Sequence, residues 1–139
     1  DVTDAIRQNE VSLYTSAVAA IPAVRAFLLD LQRNLAATHN VIMDGRDIGT
    51  VVLPDATVKI YLTASAEARA KRRWLELHEK GDPITLEQVL EDVQQRDYND
   101  THRDVAPLRQ AEDAVLVDTT ECDLEESYQL LLKTIRERI

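Results

Sequence analysis

An α/β sandwich built on a mainly parallel sheet is the fold this sequence predicts, on three observations. Short apolar runs near residues 40–44, 58–62 and 114–118 are separated by long stretches with helical periodicity. Each run is rich in β-branched, aromatic or large aliphatic residues, and the runs 40–44 and 114–118 end on aspartate. The chain has 139 residues, 45% hydrophobic and 29% charged, which suits one domain around one core and is too apolar for a chain disordered throughout.

The elements follow in order. Residues 3–37 read as helix in two segments broken near Ile21-Pro22, because proline belongs in a helix's first turn, where its missing N–H costs nothing. In the second segment Val24, Phe27, Leu28, Leu31 and Leu35 recur every three or four residues, a stripe that is either core or partner surface. Asn40 to Asp44 reads as a buried strand stopping at Asp44-Gly45, Val51 to Leu53 as a short extended piece before Pro54, and Val58 to Leu62 as a second strand. Ser65 opens a helix running to about Lys80, with Gly81 positioned to end it. Thr85 with Gln88 makes a capping box for a helix to about Tyr98, 99–112 is irregular, Ala114 to Asp118 is a third strand, and a last helix begins near Leu124.

Several functional classes fall away by counting. Gly45, Gly49 and Gly81 are the only glycines, so neither G-x-x-x-x-G-K-[ST] nor G-x-G-x-x-G occurs. No apolar run nears the roughly 18–20 residues of a membrane span, so no membrane association is expected. The first residues carry neither a basic nor an apolar signal region, and the absent initiator Met leads us to expect a processed or excised chain. A single cysteine, Cys122, excludes an intrachain disulfide and a multi-thiolate zinc site, and a reducing, cytoplasmic setting is expected. His39, His78 and His102 lack ligand spacing. The net charge of -9 argues against a broad nucleic-acid-binding face.

Yet twelve of the sixteen cations are arginine, the planar, bidentate donor suited to phosphate, so small-anion binding and simple surface pairing with Asp and Glu both remain open. Three groupings stand out. Asp44-Gly45-Arg46-Asp47-Ile48-Gly49-Thr50 follows a predicted strand, where open α/β sheets place ligands, and reads either as a binding loop or as an ordinary turn with a local Arg–Asp pair. Arg96, Asp100 and Arg103 are spaced by four and three and share one face if helical, as a nucleotide reader or a solvated face. Arg69, Arg72 and Arg73 crowd a helix leading into Gly81-Asp82-Pro83, as a mobile lid over polyphosphate or as partners of Glu67, Glu76 and Glu79.

The run Asp44 to Asp55 resembles bacterial cytidylate kinases. The resemblance continues through Val58–Leu62, Ala64–Glu67, Arg69–Arg73, Glu79–Gly81, Arg96–Arg103, Val105–Pro107 and Asp118–Thr120, and back through Ser16–Arg25. It implies a partial nucleoside monophosphate kinase fold of the P-loop NTPase type, with the first strand and P-loop absent. It divides the chain into CMP-side helices (1–39), core strands (40–63), helices flanking the lid (65–101) and a closing strand and helix (102–139). By position, Ser16, Arg25 and Asp47 resemble the readers of the cytosine ring, Arg46 and Arg103 the binders of the CMP phosphate, and Arg96 and Asp100 the pair near the pentose. Asp44 resembles a Walker-B-like carboxylate organising Mg²⁺ through water, and Arg69, Arg72 and Arg73 fall in the lid. The implied activity is transfer of the γ-phosphoryl of ATP to CMP or dCMP, with ATP as co-substrate. Without a P-loop the 139 residues alone are expected to be inactive and to self-associate. The alternatives are a non-catalytic nucleotide- or anion-binding module and a helical interaction protein.

Overall fold

The computed structural model describes residues 1–3, 5–7, 9–19 and 21–139, and of Arg7, Asn9, Glu10, Ser12, Leu13 and Ser16 the backbone alone. A 3₁₀ turn over Ala5–Arg7 leads into α1 (Asn9–Ala19) and α2 (Pro22–Thr38), with Pro22 opening α2 as its position predicts. The predicted helical start at residue 3 includes Asp4, Gln8 and Ala20, which lie outside the described residues.

α2 is where the apolar stripe resolves. No described residue of the helix is buried, and Phe27 is 71% exposed, with Leu28, Leu31 and Leu35 also open. The stripe is therefore uncovered surface rather than core.

The predicted strand at 40–44 does not form. A strand exists only by bonding to a neighbour, and among the described residues no strand pairs with this segment, whose Ile42 is 98% exposed. Residues 51–53 are likewise not extended. The carbonyl of Asp47 captures the N–H groups of Thr50, Val51 and Val52, and Leu53 N–H reaches Ile48 O at 2.7 Å, winding Ile48–Val52 into a π-type turn.

Among the described residues the sheet has two strands, β1 (Ile60–Thr63) and β2 (Val115–Asp118), parallel and in register Ile60 opposite Val115. Parallel pairing across a helical crossover is the expected connection, although three strands were predicted. At their carboxyl ends, Thr119 N–H and Oγ1 both donate to Thr63 O, and Ser65 N–H donates to Thr120 Oγ1.

α3 (Ala66–Glu79) and α4 (Leu86–His102) make the best-packed part of the molecule, burying Ala70, Leu77 and Val89 against Trp74, Ile84, Leu90 and Val93. Local chemistry sets their ends. Ser65 Oγ accepts from Ala68 N–H, and Gly81 at φ 81° ends α3 with paired bonds from Gly81 N–H to His78 O and Asp82 N–H to Leu77 O. Thr85 and Gln88 form the predicted capping box. α4 outruns its predicted end at Tyr98 by four residues. The extra turn is held from outside the helix: Asp100 is buried, and its carbonyl accepts Leu108 N–H at 2.7 Å. Finally α5 (Leu124–Arg136) starts on a second capping box, Asp123 with Glu126.

On α3, hydrogen bonds from Lys80 and then Arg73 hold the Glu76 carboxyl below its ordinary value of 4.5. A carboxylate depressed in the folded state contributes stability above its unfolded pKa and loses it as pH falls through the folded one. Glu76 is half exposed, so the contribution is about a few tenths of a kcal/mol. Urea midpoints of wild type and Glu76→Gln are expected to differ slightly at neutral pH and to converge in acid below that folded value.

Candidate functional site

Three separate elements bring the predicted site together. Arg25 comes from the first turn of α2, Arg46 and Asp47 from the turn after residue 44, and Arg96, Asp100 and Arg103 from the last two turns and C-cap of α4. The turn is tight by necessity: a Cβ at Gly45 would stand 2.9 Å from Ile48 Cγ1.

Asp47 is the hub of one half. While its carbonyl anchors the turn, its Oδ2 accepts a hydrogen bond from Arg25 Nη2, and its Oδ1 lies 3.9 Å from Arg103 Nη2. Arg25 Nη1 also donates to Ala19 O at 3.3 Å, tying α2 to the end of α1. Arg103 is oriented by Ala106 O, which accepts from Nε at 2.8 Å and from Nη2. Ala106 holds φ 49°, the left-handed region that non-glycine residues avoid, so this carbonyl is presented at some backbone cost. Asp100 is the hub of the other half. Its Oδ2 accepts from Arg46 Nε at 2.9 Å and lies 4.0 Å from Arg96 Nε.

Four guanidinium groups thus surround two carboxylates. The side chains of Asp47 and Asp100 are 12% and 6% exposed, whereas those of Arg46 and Arg96 are 37% and 54% exposed. An incoming anion therefore meets cations first and the acceptors beneath them. Four cations against two anions leave an excess of positive charge here, on a chain of net charge -9, which is chemistry suited to an anion.

The remaining predicted residues are placed differently. Ser16 lies on α1, with its side chain outside the described residues. Asp44 is exposed at the end of the unpaired 40–44 segment. Among the described residues no cluster of three or more His, Cys, Asp or Glu could cage a metal ion. A hard cation held mainly by water and substrate phosphates needs only one or two carboxylates, and the exposed Asp44 fits that requirement. Arg69 forks onto Asp97 of α4, at 2.9 and 2.6 Å, and donates to Ala64 O. The hydrogen bond that Arg69 donates to Asp97 raises the Arg69 pKa, opposed by burial. Arg72 donates to the carbonyls of Thr119, Thr120 and Cys122, and Arg73 bonds Glu76 at 2.9 Å.

Two participants escaped the sequence reading, Arg33, which grips the turn from α2, and Asp97. Neither carries a local motif, because the partners stand 18 and 28 residues away. An open groove of about 560 Å³ lies at the α3–α4 connection between Trp74, His78, Ile84 and Leu86. Its lining has no lysine or arginine and includes Asp82 and Glu87, so it does not suit a phosphate.

The structure is thus a parallel α/β unit in which four arginines from three elements stand over two recessed carboxylates. The cytidylate kinase family model matches residues 1–137, and the chain belongs to that family. Its relatives include the cytidylate kinase of Caldicellulosiruptor saccharolyticus, 55% identical over 133 residues, covering 96% of this chain and 59% of that protein. The cytidylate kinase of a Geobacter species is 50% identical over all 139 residues, 60% of its own length, and that of Stutzerimonas stutzeri is 49% identical over 138 residues, again 60% of its length. The chain thus spans about three-fifths of the curated relatives it matches. No described helix is long and apolar enough to cross a membrane.

Proposed function

We propose that this chain supplies the acceptor-nucleotide side and the lid side of a kinase that moves the γ-phosphoryl of ATP to CMP or dCMP. The observation that carries this is the convergence of Arg25, Arg46, Arg96 and Arg103 on Asp47 and Asp100 from three elements. Asp47, Arg25 and Ser16 would read the cytosine edge, which offers both donors and acceptors. Arg46 and Arg103 would hold the CMP phosphate and offset its charge as its oxygen attacks the γ-phosphorus and the bond to the β-phosphate breaks. Arg96 and Asp100 would flank the pentose. Such a reaction depends almost wholly on position and charge neutralisation, which these residues are built to give.

In the same reading, residues 1–39 form the CMP-side helices, 40–63 the core segment, 65–101 the helices flanking the lid, and 102–139 the closing strand and helix. Arg69, Arg72 and Arg73 belong to the lid and reach polyphosphate by leaving their present partners. Mg²⁺, organised by Asp44 through water, would offset charge on the phosphates of ATP. The cradle for those phosphates comes from a strand and P-loop outside these residues, so the 139-residue chain turns over no ATP by itself.

Titration of the chain with CMP, UMP and AMP tests the assignment. Saturable, salt-sensitive binding that favours CMP and needs no ATP is expected, with no ADP produced on adding ATP and Mg²⁺. Equal binding of the three nucleotides, or none, would sink the reading, and efficient turnover would sink the claim about the P-loop. The titration should span a range of protein concentrations, because the uncovered stripe of α2 is expected to drive self-association.

A further inference from the structure

We propose that Arg33 is a positioning residue for nucleotide recognition, acting through the turn that carries Arg46 and Asp47. The inference rests on the reading of that site as the CMP pocket. Arg33 sits eight residues after Arg25 on α2, about 12 Å further along the helix. Its Nε donates to Val52 O at 3.0 Å and its Nη2 to Val51 O at 2.8 Å. These are the last two carbonyls of the π-type turn, where helical backbone runs out of internal donors and carries partial negative charge.

The turn is therefore clamped to α2 at both ends. At its start Arg25 bonds the Asp47 side chain, and at its finish Arg33 bonds two main-chain oxygens. Between them, the Thr50, Val51 and Val52 N–H groups all close on Asp47 O. A rotation of the turn's far end is thus transmitted to the Asp47 backbone and to its neighbour Arg46. With Arg25 alone, the turn keeps one pivot and loses its orientation. A guanidinium can satisfy two carbonyls at once from a fixed fork, and an ammonium cannot hold both in that geometry.

The test compares CMP and UMP affinity for the full chain, Arg33→Met, Arg33→Lys, Asp47→Asn and the double variants with Asp47→Asn. Arg33→Met is expected to weaken CMP binding about tenfold while narrowing the preference for CMP over UMP, because the two lost hydrogen bonds hold the turn rather than the ligand and only part of their loss reaches the site. Arg33→Lys should fall between Met and wild type, and it carries the test if the Met variant does not fold. The losses should be non-additive with Asp47→Asn, because Arg33 acts through Asp47. A lower melting temperature with unchanged affinity and preference, or full additivity, would overturn the role of Arg33 while leaving the site intact. Failure of the unsubstituted chain to bind CMP would overturn the nucleotide reading itself, and the role with it.

Discussion

Asp47→Ala is expected to weaken CMP binding by about ten- to a hundredfold, the range for losing a hydrogen bond to a charged group, and to erase the preference for CMP over UMP. The substitution has opposing consequences for the two parts of the ligand. It removes the carboxylate that would read the base, yet it leaves Arg25, Arg46, Arg96 and Arg103 with one acidic partner fewer, so attraction for the phosphate persists or grows. Affinity for inorganic phosphate should therefore hold while nucleotide selectivity collapses, and isothermal titration with both ligands separates the two effects. Asp47→Asn keeps the shape and one acceptor and should fall between. A simple anion trap would lose no selectivity, and a helical interaction protein would show no nucleotide binding in either variant. Unchanged CMP affinity in Asp47→Ala would remove Asp47 from the site.

What the sequence disclosed and what it hid divide along one physical line. Features fixed by chemistry within a few residues were legible: Pro22 opening α2, Ser65 and Thr85 as N-caps, and Gly81 closing α3. Features that depend on a distant partner were not. Asn40 to Asp44 has the composition of a buried strand, but composition does not supply the neighbour that a ladder needs, and Ile42 stands in solvent. Val51 to Leu53 has the β-branched look of a strand, yet three N–H groups closing on one carbonyl outweigh that preference. The polar Asn99-Asp100-Thr101-His102 run reads as a loop and stays helical because its aspartate is buried beneath Arg46. The site divides in the same way. Its members announced themselves as short motifs, while the grip of Arg33 spans 18 residues and leaves no local trace.

That buried aspartate carries the largest stability effect expected in the chain. Asp100 is 4% exposed, and its carboxylate is the oxygen on which Arg46 and Arg96 converge. Breaking a buried ion pair by removing one partner leaves the other charge poorly solvated, at about 3–5 kcal/mol when both are enclosed. Arg46 is more than one-third exposed and can turn to water, so the cost of Asp100→Ala should fall to about 2–3 kcal/mol, lowering the melting temperature by roughly 10 °C in a chain of this size. The backbone bond from Leu108 N–H to Asp100 O survives, so the last turn of α4 should loosen rather than unwind, and circular dichroism should record little lost helix. Asp100→Asn retains an acceptor for Arg46 Nε and should lose about half as much stability. CMP affinity should fall in Asp100→Ala beyond what residual unfolding explains, because Arg46 then loses the contact that aims its guanidinium, and should fall less in Asp100→Asn, which weakens that contact without removing it. A melting temperature within a degree or two of wild type for Asp100→Ala would show that the pair is cosmetic, and that Arg46 is held in place by something other than this carboxylate.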